Sequence, residues 1–140
     1  MLRLYHVPLS PFCRKVRLVL AEKKMDVELI EERYWEQSTE FLRRNPAGKV
    51  PILRHEGALL TESTPICEYI EELNPEPPLI PKDAKARYEM RRLVSWFDDK
   101  FHHEVTSNLL YERVNKKVSG QGFPESKNIK EGARKIKYHL

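Results

Sequence analysis

Three short segments in the first half of the chain combine residue types that could do chemistry. The first is Ser10-Pro11-Phe12-Cys13, at the junction of a strand-like run and a helix-like run. Proline suits a first helical position and serine the N-cap before it. A helix N-terminus presents unpaired N–H groups and a partial positive charge, so it favours an anion. A Cys-x-x-Cys pair here would make that anion a protein thiolate. The first position is Ser10 instead, which rules out an intramolecular dithiol cycle and leaves a hydroxyl aimed at whatever anion arrives. For the thiolate of a small thiol, with an ordinary pKa of about 8.5, ionisation at neutral pH needs a fall of about two, or roughly 2.7 kcal/mol. A helix terminus supplies about 0.3–1 kcal/mol, and a hydrogen bond to a charged sulfur about 1.5–3 kcal/mol. The two together suffice and neither does alone. The competing role for Ser10 is that of an N-cap only.

The second segment is Lys49-Val50-Pro51. A proline entering a strand marks a turn or a cis bond, and a cis bond would turn the Val50 N–H and C=O outward to pair with a peptide-like ligand. The third is Glu62-Ser63, ahead of another helical pattern. A carboxylate beside a helix N-terminus can hold the ammonium and carboxylate of one amino-acid head group, or the pair simply caps the helix. Other polar residues read as structural. Cys13, one turn into its helix, reads as a buried small side chain. His102-His103 are adjacent and so point to different sides of a helix, which makes them poor joint metal ligands. Trp35 either lines the site or caps the core, and Glu31-Glu32 and Glu71-Glu72 read as solvated faces.

The elements that must position these segments follow from periodicity. Leu2–His6 reads as a strand, and a helix from Pro11 carries Phe12, Val16, Val19 and Leu20 on its apolar stripe. Val27–Ile30 is a second strand. Phe41-Leu42 belong to a short helix that stops before Asn45-Pro46. Val50–Leu53 and Ala58–Leu60 flank a turn at Arg54–Gly57, and Ile66, Tyr69, Ile70 and Leu73 mark a further helix. The order is βαβαββα, an α/β fold. Asn74–Pro81 is a proline-stiffened linker. Beyond it Met90, Val94, Phe97, Phe101 and Val105 form one long helical stripe reaching Val114. Gly120–Pro124 breaks the pattern, and a shorter helix carries Ile129, Ala133 and Ile136. We expect a domain at residues 1–76, a linker at 77–83 and a partial all-helical domain at 84–140. One long and one short helix cannot close a core alone, so either they pack on another chain or, as we expect, the helical part is cut short.

Composition bounds the class. The chain has 140 residues and a mass of 16.6 kDa, with 40% hydrophobic and 33% charged residues. That is too apolar for disorder, and no apolar run nears the ~20 residues of a membrane span. Neither a signal-peptide core nor a disulfide framework is visible, so the expected location is the cytoplasm. The net charge of +4 splits into −2 over residues 1–80 and +6 over the remainder. Lys116, Lys117, Lys127, Lys130, Arg134, Lys135 and Lys137 carry the excess, with only Tyr138 nearby. Without interleaved base-stacking aromatics this is a solvated helix face and not a nucleic-acid surface.

Taken together, Ser10–Arg17, Asn45–Pro51 and Thr61-Glu62-Ser63 resemble the thioredoxin-like N-terminal domain of the cytosolic glutathione S-transferase superfamily, in order and spacing across residues 1–80. Residues 82–140 resemble the opening helices of that family's second, all-helical domain. The resemblance implies glutathione as co-substrate and no metal. Ser10 would face the glutathione sulfur as the catalytic group. Val50 would bind the cysteinyl backbone ahead of cis Pro51, and Glu62 with Ser63 would hold the γ-glutamyl group. The matched residues assign no cation to the glycyl carboxylate, for which Lys49 is the one suggestion. A tyrosine-type enzyme does not fit, because Tyr5 lies within the strand, nor does a cysteine-type one, whose nucleophile would stand where Ser10 is. Such proteins are homodimers that conjugate glutathione to a small electrophile. The alternative is a non-catalytic scaffold, since members of the family bind the transcription machinery or the bacterial division protein FtsZ. Met1–His6 with Ser10–Arg14 is most similar to the FtsZ-binding type, and a basic second half suits an acidic protein partner.

Overall fold

A computed structural model describes all residues from Met1 to Leu140. They form two units, Met1–Lys82 and Asp83–Leu140. In the first, β1 (Leu2–His6), α1 (Pro11–Glu22), β2 (Val27–Glu31), α2 (Thr39–Arg44), β3 (Ile52–His55), β4 (Ala58–Thr61) and α3 (Ser63–Leu73) follow in the expected thioredoxin-like order. A 3-10 turn at Tyr34–Glu36 lies between β2 and α2. The sheet runs β2-β1-β3-β4, with β1 parallel to β2 and antiparallel to β3, and β3 antiparallel to β4.

The period-2 alternation of the strands divides the core between the two faces of the sheet. Leu2, Leu4 and Leu53 meet Val16 and Leu20 of α1 and Ile66 and Ile70 of α3 on one side. Tyr5 and Ile52 meet Phe41 of α2 on the other. The α1 stripe keeps Val16, Val19 and Leu20 in the core and Cys13 is buried as expected, while Phe12 is half-exposed. In α3, Ser63, Ile66 and Ile70 are buried, whereas Leu73 is 43% exposed and Tyr69 reaches the His55 ring at 2.7 Å. The hairpin turn is shorter than predicted. Glu56 and Gly57 alone turn the chain, at φ 48° and 85°, the left-handed pair of a two-residue type I′ turn, so Arg54 and His55 stay in the ladder opposite Arg3 and Leu2.

Two of the expected solvated faces are structural. Glu32 pairs with Arg44 at 3.0 Å, and that guanidinium lies 4.6 Å from the Tyr5 ring centroid. Glu71 pairs with Lys23, whose side chain is fully buried and also donates to the Pro77 carbonyl at 2.7 Å. Glu71 in turn accepts from the Leu79 and Ile80 amides at 2.9 and 3.2 Å. Burial pushes its carboxyl up, but the ammonium and the two amides outweigh this and hold it below the ordinary range.

The second unit holds α4 (Ala84–Trp96), a π-helical segment (Phe97–Asn115), α5 (Lys116–Val118) and α6 (Ser126–His139). The sequence reads as one ordinary long helix here, yet the middle winds with i→i+5 bonding. Phe97–Asn108 is dense in aspartate, histidine, valine, threonine, serine and asparagine, which give the tighter i→i+4 ladder little intrinsic support. Along α6 the buried position is Gly132 and Ala133 is exposed. A Cβ at Gly132 would sit 2.8 Å from the Asn108 Cβ, so the missing side chain lets α6 approach the π-helical segment. Glu112, also buried, accepts from the Glu125 amide at 2.8 Å and the Asn128 amide side chain at 3.0 Å, closing the start of α6. No helix is long and apolar enough to cross a membrane.

Candidate functional site

Strand register gathers the three candidate segments at one end of the sheet. Tyr5 lies opposite both Ile30 and Ile52, and Ile52 lies opposite Thr61. The ends of β1, β2 and β4 therefore coincide with the start of β3. Ser10 follows β1, Val50 precedes β3, and Glu62-Ser63 follow β4, so all four emerge at that end. The Lys15 ammonium donates to the Thr64 hydroxyl at 2.9 Å, tying the first turns of α1 and α3 together. Two helix N-termini, each partly positive, thus open at the same place.

Ser10 is the N-cap of α1, at φ −72° and ψ 122°, and its oxygen accepts from the Cys13 N–H at 3.2 Å. Capping uses a lone pair of the hydroxyl and not its proton, so the two roles considered for Ser10 are compatible. Cys13 beside it is fully buried. Burial pushes its thiol up, and the Ser10 hydroxyl, a backbone hydrogen bond from Val7 and the Arg17 charge oppose this only in part. A thiol held in its neutral form is a packing group and no nucleophile.

The Val50–Pro51 bond is cis. The β3 ladder begins at Ile52, so the N–H and C=O of Val50 lie outside it. Two residues that the sequence reading passed over hold this loop. Asn45, buried, donates to the Lys49 carbonyl at 2.9 Å and accepts from the Ala47 amide at 3.1 Å, while Gln37 donates to the Gly48 carbonyl at 3.0 Å. The available signal was Asn45 ahead of a proline, a residue type that bonds to its own backbone in turns. Lys49 is exposed, and Trp35 is half-buried against Tyr34, with ring centroids 5.4 Å apart.

Glu62 differs most from expectation. Helix α3 begins at Ser63, so Glu62 itself is the N-cap, and its side chain makes no capping bond. Plain capping therefore does not account for the carboxylate. Its backbone stands at φ 73° and ψ 123°, a conformation costing a non-glycine residue about 1–3 kcal/mol. Strain of that size persists where the surroundings impose it, and here it carries an exposed carboxylate to the mouth of the paired helix termini. No three His, Cys, Asp or Glu side chains converge as metal ligands would.

Residues 4–78 match the family model described as glutathione S-transferase, N-terminal domain. FtsZ-localized protein A of Caulobacter vibrioides (strain NA1000 / CB15N) is 40% identical over 141 residues, spanning 98% of this chain and 62% of the relative. Protein LigF of Sphingobium sp. (strain NBRC 103272 / SYK-6) is 32% identical over 147 residues, spanning 98% and 57%. The crystal structure of a glutathione S-transferase from Rhodospirillum rubrum F11 superposes with a TM-score of 0.95 at 46% identity, spanning 99% of this chain and 63% of that one. The chain thus spans about three fifths of the length of these proteins.

Proposed function

The chain belongs to the glutathione S-transferase family, and on that premise we propose that its first unit binds glutathione and lowers the pKa of its thiol for attack on a small electrophile. The observation that carries this reading is Glu62: a strained N-cap whose carboxylate is not used in capping, at a helix start beside that of α1. Glu62 with Ser63 would hold the γ-glutamyl head group, the carboxylate taking the ammonium and the α3 terminus the carboxylate. Val50, ahead of Pro51, would pair its free backbone groups with the cysteinyl residue. Ser10 would donate its remaining proton to the sulfur, adding a charge-assisted hydrogen bond to the field of α1. The thiol loses its proton to solvent, a sulfur lone pair forms the new S–C bond, and the leaving group departs with its bonding pair. On this reading residues 1–76 are the glutathione-binding domain, 77–83 the linker and 84–140 part of a helical domain, in a homodimeric cytoplasmic protein.

The test is calorimetric titration of glutathione into the protein and into Ser10→Ala and Glu62→Ala variants. Binding weakened roughly ten- to a hundredfold in Glu62→Ala, the loss of a charged hydrogen bond, is the expected result. The ultraviolet absorbance of the bound thiolate should vanish in Ser10→Ala. A folded protein that gives no heat at millimolar glutathione sinks the proposal. The second reading is a scaffold that docks an acidic protein partner. Alignment with FtsZ-localized protein A over 98% of the chain favours it, as do the exposed Lys127, Lys130, Arg134 and Lys137, which share the α6 face opposite Gly132.

A further inference from the structure

The loop that carries Ser10 has few means of holding itself. Between β1 and α1 run Val7, Pro8, Leu9 and Ser10, followed by Pro11, and the two prolines donate no hydrogen bonds. One backbone bond closes the loop, from the Ser10 N–H to the Val7 carbonyl at 3.1 Å. The remaining support comes from α1. Arg17 stands seven residues past Ser10, two turns along the same face, and helical side chains lean toward the N-terminus. Its guanidinium donates to the His6 Nδ1 at 2.7 Å, to the Pro8 carbonyl at 3.2 Å and, at a longer 3.5 Å, to the Val7 carbonyl. A planar fork with five donors can serve diverging acceptors at once. The acceptors are neutral, so the charge is not cancelled by them. Its reach is visible at Cys13, whose thiol it draws down against burial, and at His6, which burial and Arg17 hold below its ordinary range against the opposing pull of Glu31.

We propose that Arg17 is the positioning residue of the thiol site: through the Val7 and Pro8 carbonyls it fixes where the Ser10 hydroxyl stands. Its charge adds to the α1 terminus in favouring a thiolate there. This rests on the glutathione reading for its consequence, but not for its geometry, and the two can be tested apart. The experiment compares the full chain with Arg17→Met, which keeps bulk and loses the fork and charge, and Arg17→Lys, which keeps the charge alone. Without ligand, amide hydrogen exchange at Ser10 should accelerate about tenfold in Arg17→Met while Val16 and Leu20 are unchanged. With glutathione, the pH midpoint of the thiolate absorbance should rise by about one, a tenfold loss of acidity, with Arg17→Lys between the two proteins. Unchanged exchange at Ser10 overturns the proposal. So does acceleration throughout α1, which would assign Arg17 to the core. A wild-type protein with no thiolate signal ends the glutathione reading and leaves the exchange comparison to decide Arg17.

Discussion

The two units are held by different physics. Every buried apolar side chain except Val105 belongs to the first, where two clusters fill both faces of a sheet. The second leaves Tyr88 67%, Phe97 47% and Trp96 39% exposed, and polar contacts add to the close approach at Gly132 in joining its helices. Glu112 caps α6, and His139 accepts from the Trp96 N–H at 3.0 Å while its other ring nitrogen meets Glu104 at 2.9 Å. Those two contacts set the tautomer, with the proton on Nε2. The difference teaches that the candidate site belongs to the unit with the apolar core, where charged contacts from Lys15 and Arg17 are added to a frame that packing already holds.

The largest effect that would break the comparison is in the core. Phe41→Ala should destabilise the first unit by about 3–5 kcal/mol, whereas Leu93→Ala, at a position 43% exposed, should change stability by less than about 0.5 kcal/mol. Denaturant melts of both variants check this, and equal losses would dissolve the distinction. Next is Gly132→Ala, where overpacking against Asn108 and Leu109 should cost about 1–3 kcal/mol, only partly offset by the roughly 1 kcal/mol helix preference for alanine. Glu62→Gly should have a smaller effect of opposite sign. Relief of strain should raise the melting stability of the first unit by roughly 1 kcal/mol while glutathione binding falls, a divergence that tests whether the strain serves the ligand.

The last effect is absent at neutral pH. The Lys100 ammonium, with His139, holds Glu104 down to about 2 from an ordinary 4.5, and the Glu125 amide and Asn128 hold Glu112 down as well. Because the folded-state values are depressed, the stability they contribute is complete above 4.5 and is lost as pH falls toward 2. The chain has two tryptophans, Trp35 in the first unit and Trp96 in the second. In a Trp35→Phe variant the Trp96 emission should shift across that window, and in a Trp96→Phe variant the Trp35 emission should shift less.

The first unit was legible because its rules are local. Alternation at Leu2–His6, the Ser10-Pro11 helix start and the break at Asn45-Pro46 are each written in neighbouring residues. What escaped depends on partners distant in sequence. Nothing near Glu71 announces that Lys23 lies against it, and nothing near Glu32 announces Arg44. On α1 only Phe12 departs from its expected place, half-exposed at the first turn, while Cys13 is buried as its type suggested. At the site, Ser10, Val50, Pro51, Glu62 and Ser63 were visible as types. The side chains that place them, Asn45, Gln37 and Arg17, were not, because each acts on a backbone carbonyl and carries no pattern of its own.

The ion pair of Lys23 and Glu71 bears on where this chain can be cut. Proline-rich stretches between units are where proteases usually cleave. Here the stretch from Pro77 to Ile80 is stitched down, one carbonyl taken by Lys23 and two amides by Glu71. A fragment ending at residue 76 would strip Lys23 and Glu71 of these backbone partners, leaving a fully buried ammonium with one acceptor fewer. A fragment ending at residue 82 retains them all, and limited proteolysis of the intact chain should spare residues 77–80.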